Sequence, residues 1–154
     1  MLPAGWLHAA SLAWPGHGAA LWWLQLLSLA LLCKALLAAP RRRDGALLGW
    51  LFGTSWLVGT FWWLFTSMHT YGGLAAPLAA AGVLALALFL ALYYAAVCAL
   101  LKHFSFTHRA VNALVFAAFL LLAELARGVL LTGFPWGSSG YAQISGLLFS
   151  LARW

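Results

Sequence analysis

The chain has 154 residues, of which 66% are hydrophobic and only 6% charged, and its mean hydropathy is +0.97. A soluble domain is nearer half apolar and a quarter charged, because its surface needs polar groups. This chain cannot coat a water-facing surface of its size and reads as an integral membrane protein. The net charge of +6 does not signal nucleic acid, since Lys and Arg scattered between apolar segments build no basic face. Cys33 and Cys98 both lie inside apolar runs, which argues against a disulfide framework and a zinc site. Neither a metal nor a cofactor is expected. No positively charged stretch opens the chain, so a cleavable signal peptide is not expected either.

In chain order, residues 1–18 are moderately apolar but broken by Pro3, Pro15 and three glycines. The stretch at about 2–14 is a partial helix, short of the roughly 20 residues that cross a bilayer. A first full span runs over about 19–39 and is halted by Pro40 and Arg41-Arg42-Arg43-Asp44. A second covers about 45–66 and ends in Ser67-Met68-His69-Thr70-Tyr71-Gly72-Gly73. The third, about 74–101, is long enough to tilt. After the polar connection from Lys102 to Arg109, a fourth span covers about 110–131. The Gly and Pro content of Thr132 to Tyr141 prescribes a loop. A second partial helix is expected at about 144–154. The predicted fold is an all-α membrane protein, a bundle of about four full transmembrane helices with partial helices at both ends.

Charge sets the orientation. Arg41, Arg42 and Arg43 share one loop, and Lys102 and Arg109 share the next loop on that side. Loops 67–73 and 132–145 carry no Lys or Arg. The positive-inside rule therefore places 40–45 and 102–109 in the cytoplasm and the other two loops outside. Trp22, Trp23, Trp62, Trp63, Tyr71 and Trp136 then fall near outer interfaces, as an aromatic belt requires.

Few polar residues are candidates for chemistry. Glu124 and Arg127 stand three apart on the fourth span, hence on one helix face. Ionisable residues within a membrane are functional candidates; the simpler reading is a structural pair, with Arg127 snorkelling to the outer end. His103 and His108 are five apart, a spacing that does not align them on a helix. Lys34 snorkels inward, and Cys33 and Cys98 read as inert packing residues because burial opposes thiolate formation. Gly49-x-x-x-Gly53, with Gly59 beyond, forms a small-residue stripe for close helix approach, and Thr54, Ser55 and Thr60 can hydrogen-bond across that interface. The loop with Thr132, Gly133, Phe134, Pro135, Trp136 and Tyr141 has a fixed path and apolar rings at headgroup depth. It serves either as an interfacial turn or as a lipid-facing lip.

The run Glu124-Leu-Ala-Arg127-Gly-Val-Leu-Leu-Thr-Gly133-Phe134-Pro135-Trp136, continuing through Gly140-Tyr141-Ala-Gln143, resembles the signature of bacterial apolipoprotein N-acyltransferases. Gly49-Trp50-Leu51-Phe52-Gly53-Thr54, Trp62-Trp63 and Ser67 to Gly73 resemble a second region of that family in order and spacing. His8-Ala-Ala-Ser11-Leu-Ala-Trp14-Pro15 is similar to the turn closing its first helical hairpin. The resemblance covers nearly the whole chain. It implies an inner-membrane enzyme that moves an acyl chain from a phospholipid donor to the α-amino group of a diacylglyceryl apolipoprotein, the last step of lipoprotein maturation. It further implies a thioester on a cysteine, assisted by glutamate and lysine in a nitrilase-like periplasmic domain, by the ordinary logic of covalent catalysis. No position here matches that glutamate, lysine or cysteine, so no catalytic residue is assigned. The chain is expected to be a membrane-domain fragment lacking the nitrilase-like domain and inactive alone. The alternative is a small non-enzymatic membrane protein, a transporter subunit or helical packing partner.

Overall fold

The computed structural model describes residues 1–13, 18–104 and 108–150, apart from the side chain of Arg109. Helix α1 (Leu2–Leu12) starts with proline in its first turn, where the missing N–H is no loss. Helix α2 (Trp22–Ala38) stops at Ala39, whose extended backbone is what Pro40 imposes on its predecessor. Helix α3 (Arg42–Thr60) is set by Asp44, which accepts the Arg41 backbone N–H at 3.1 Å and places a carboxylate in the first turn. Helix α4 (Trp62–Thr66) runs into a π-helical turn, Ser67–Tyr71. Helix α5 (Ala76–Leu101) again has proline in its first turn, and helix α6 is Arg109–Val129. No strand occurs among the described residues.

The all-helical prediction agrees with this architecture, but the spans differ in kind. Helices α5 and α6 are each long and apolar enough to cross a membrane. The expected second span, 45–66, is bent by 50° where α3 meets α4. Thr60 donates its hydroxyl to the Trp56 carbonyl at 2.9 Å, a back-bond of the kind that bends helices. Counted as one element, the bent pair is a third candidate span. The expected first span is shorter than drawn: α2 has 17 residues, about 26 Å of helix against a hydrocarbon core of roughly 30 Å. At the C-terminal end, residues 144–148 run as turns rather than as a partial helix; residues 151–154 lie outside the described residues, as does the 14–15 part of the expected hairpin turn.

Glycines build the centre. Gly49 and Gly53 of α3 lie against α5 so closely that a Cβ on Gly49 would stand 2.5 Å from the Tyr94 carbonyl oxygen, and one on Gly53 would stand 2.8 Å from the Tyr94 ring. Gly59 meets Trp6 and Ala9 of α1 in the same way. The small-residue stripe thus serves two neighbours. The hydroxyls beside it do not bridge helices: Ser55 and Thr60 both donate to carbonyls of their own helix, and Thr54 Oγ1 is buried without a partner. Helix α6 rests chiefly on α5 and leaves a seam toward α2.

Candidate functional site beneath the loop after α6

Beyond α6 the chain turns sharply. Leu131 and Thr132 have φ of 54° and 74°, and Gly133 has 76°. Left-handed backbone at a leucine and a β-branched threonine costs on the order of 1–3 kcal/mol each and persists only where the surroundings hold it. Here they do. The Phe134 N–H donates to the Arg127 carbonyl at 2.8 Å. Arg127, only 1% exposed, donates through Nη1 to the carbonyls of Phe134 and Trp136 at 2.9 and 2.7 Å. Its guanidinium carbon lies 5.9 Å from the Trp56 ring centroid, within cation–π range.

Glu124 holds the other limb. Its carboxylate accepts the Ser138 hydroxyl, the Ser139 N–H at 3.1 Å and the Tyr94 hydroxyl at 3.3 Å. The expected Glu124–Arg127 pair therefore takes another form: the two side chains grip opposite limbs of one loop. The reason is supply and demand. The returning chain presents bare carbonyls at 134 and 136 to the donor and an N–H at 139 to the acceptor, all of which need partners away from water.

A third tether comes from α2. Gln25 donates to the Ser139 carbonyl at 2.5 Å and accepts from Gln143. Rings finish the seating: Phe134 meets Phe61 edge-on at 5.2 Å and Trp136 meets Trp63 at 5.8 Å. Gly137, at φ +70°, lies against Thr60 at the α3–α4 bend.

Under this loop lies a cavity of about 660 Å³, within the usual range for small-molecule sites. Pro135 and Ser138–Gly140 roof it, Glu124 and Tyr94 stand beneath the roof, and Phe116 lines it further down α6. His8 of α1, fully buried, forms part of the wall. Its Nδ1 lies 2.7 Å from Ser28 Oγ. Because the Ser28 hydroxyl proton goes to the Gln25 carbonyl, Nδ1–H is the donor in that pair. His8 stacks edge-on against Trp56 at 4.2 Å, and Trp56 lies 5.0 Å from Tyr94.

Of the residues singled out in the sequence, Glu124, Arg127, Phe134, Pro135 and Trp136 come together here, and Gly133 makes the turn. Thr132 and Tyr141 do not join them. The Thr132 hydroxyl bonds the Leu131 carbonyl on the exposed side, and Tyr141 is half exposed. Sequence reasoning missed His8, Gln25, Trp56, Tyr94, Ser138 and Ser139. The available signal was modest: a glutamine and a tyrosine hydroxyl within long aliphatic runs. Cys98 packs against Gly49 one helical turn from Tyr94, and Cys33 of α2 lies on the seam toward α6. Among the described residues, no cysteine lines this cavity. The arrangement holds a loop and shapes an apolar chamber.

These features define a helical membrane domain with a loop-roofed cavity. The chain matches the apolipoprotein N-acyltransferase N-terminal domain over residues 6–154. It is 57% identical to an apolipoprotein N-acyltransferase of Verminephrobacter eiseniae over 157 residues, covering 99% of this chain and 29% of that protein. It is 44% identical to one from Ralstonia nicotianae over 134 residues, covering 85% of this chain and 26% of the relative. The Azotobacter vinelandii protein of the same name is 44% identical over 134 residues, with 86% and 26% covered. The chain therefore belongs to the apolipoprotein N-acyltransferase family, and it spans under a third of the length of these curated relatives.

Proposed function

We propose that this chain is the N-terminal membrane part of an apolipoprotein N-acyltransferase. The whole enzyme transfers an acyl chain from a phospholipid to the N-terminal S-diacylglyceryl cysteine of apolipoproteins in the bacterial inner membrane. The reading rests on the family match together with one structural observation: the family-like run from Glu124 to Trp136 supplies both clamping side chains, Glu124 and Arg127, and the first limb of the loop that roofs the cavity. Its reactive cysteine, glutamate and lysine belong to a nitrilase-like domain outside residues 1–154, so the short chain alone has no acyl-transfer activity. Glu124, Arg127, Thr132, Gly133, Phe134, Pro135, Trp136 and Tyr141 act as structural or lipid-facing residues. The four crossings are α2, the bent α3–α4 pair, α5 and α6, with a locally thinned bilayer at the short α2. Loops 40–45 and 102–109 face the cytoplasm and loops 67–73 and 132–145 the periplasm. Lipid-bearing substrates reach the enzyme laterally, and the outer aromatic rings sit at the depth of their headgroups.

The experiment is complementation. In cells depleted of apolipoprotein N-acylation, residues 1–154 alone fail to restore growth, whereas the same residues in place of the corresponding part of the Verminephrobacter eiseniae enzyme support it. Growth with the short chain alone disproves its inactivity. A chimaera that inserts in the membrane and remains dead points instead to a non-enzymatic membrane protein.

A further inference from the structure

Two aromatic residues of the cavity wall each keep a polar atom that no other group of the protein reaches. His8 of α1 and Trp56 of α3 both line the chamber, at 0% and 2% exposure. His8 uses its Nδ1–H on Ser28 Oγ at 2.7 Å, so Nε2 is a bare lone pair, and that atom is buried without a partner. Trp56 Nε1–H, a donor only, is buried without a partner as well. The other indole of α3 shows what such a group needs: Trp50 Nε1 donates to the Leu88 carbonyl at 3.0 Å. Thr54 Oγ1, Arg127 Nε and Gln143 Oε1 are unpartnered too, but none of those residues lines the chamber.

The two ring nitrogens are complementary. One needs a donor, the other an acceptor, and the ring centroids are 4.2 Å apart. One water, or two joined to each other, reaches both. A hydroxyl is the smallest group that donates and accepts at once, and buried waters sit where otherwise unmatched polar groups converge. A hydrocarbon tail offers neither function and an ester only acceptors, so neither serves His8. A metal ion fits no better: a cation would face the positive end of the indole N–H, and among the described residues no three metal-ligating side chains gather. The site belongs to α1 and α3, so it does not depend on what covers the exposed face of α6.

We propose that His8 and Trp56 form a binding site for ordered water, whose hydroxyl donates to His8 Nε2 and accepts from Trp56 Nε1. The water ties α1 to α3 as His8 already ties α1 to α2. It gives the chamber a polar spot apart from Glu124, whose carboxylate is taken by Ser138, Ser139 and Tyr94. A molecule seated in the chamber has to keep that water or replace it with a hydroxyl of its own. This inference rests on the fold and on none of the acyl-transfer reading.

The 154-residue chain, carrying isotope-labelled tryptophan and histidine, is placed in nanodiscs of phosphatidylcholine, a lipid with no hydroxyl, and read by water-edited NMR. Trp56→Phe and Trp50→Phe assign the two indole signals. The Trp56 N–H is expected to receive water magnetisation several-fold faster than the Trp50 N–H, its dry counterpart. The His8 Nε2 shift is that of an unprotonated nitrogen accepting a hydrogen bond. His8→Phe keeps a ring on Trp56 but no acceptor, and lowers the transfer to Trp56 several-fold. Trp56→Phe moves the His8 Nε2 shift toward that of a free lone pair. The two native-chain readings need no substitution: a Trp56 N–H as dry as Trp50, or a proton found on His8 Nε2, overturns the site. Transfer that appears only when phosphatidylglycerol is added overturns it in favour of a headgroup hydroxyl. None of these readouts depends on acyl transfer, so failure here leaves the enzymatic reading standing, and failed complementation leaves the water site standing.

Discussion

Arg127 is the residue on which the loop after α6 depends most. An arginine inside a membrane is tolerated when it pairs with acceptors, and here two backbone carbonyls take Nη1 while Nε is buried without a partner. Arg127→Met leaves both carbonyls without a partner at about 1–3 kcal/mol each. Thermal unfolding in detergent micelles should register that loss, and an unchanged midpoint would refute the clamp. Arg127→Lys retains the charge but not the two-carbonyl reach of a planar guanidinium, so an intermediate midpoint is expected. Glu124→Gln keeps one acceptor oxygen for the Ser139 N–H and is expected to cost less than Glu124→Leu, which orphans the Ser138 and Tyr94 hydroxyls as well.

At the scale of elements, two contacts set the frame. The first is the close approach of α3 to α5, where Gly49→Val would drive a side chain into the Tyr94 carbonyl and Cys98. Overpacking of this kind costs about 1–3 kcal/mol. Its mark is a lower unfolding midpoint, while valine at the exposed Ala118 leaves stability unchanged. The second is the seating of the loop on the α3–α4 bend. Gly137→Ala forces a side chain into left-handed backbone and against Thr60, which costs more than about 1 kcal/mol. Disulfide trapping between Trp63→Cys and Trp136→Cys measures the seating. The alanine variant should form that bond several-fold more slowly, and an equal rate would mean that the loop does not rest on the bend.

For the whole molecule, sidedness is the property most open to test. With cysteines placed singly at Ser67 and Arg43 in a chain lacking Cys33 and Cys98, a membrane-impermeant maleimide applied to intact spheroplasts should label position 67 and spare position 43. The reverse pattern would overturn the positive-inside assignment.

Composition alone settled the solvent. With 6% charge the chain has to satisfy its backbone internally, and helices are the form that does so from one segment. Proline and glycine punctuation located the helices, the arginine runs gave an orientation to test, and the run from Glu124 to Trp136 marked the loop and its family. These features are local, so one-dimensional order suffices to read them. Tertiary structure decided the rest. Whether Glu124 faces Arg127 or Ser138 depends on where a chain fourteen residues further on returns. Tyr94, Trp56 and His8 reach the same chamber from three separate helices, and no spacing encodes that meeting. The seating of Gly137 against Thr60 at the α3–α4 bend likewise follows from which helix packs on which. In a uniformly apolar sequence hydrophobicity cannot rank those pairings, and close glycine contacts with a few hydrogen bonds choose among them.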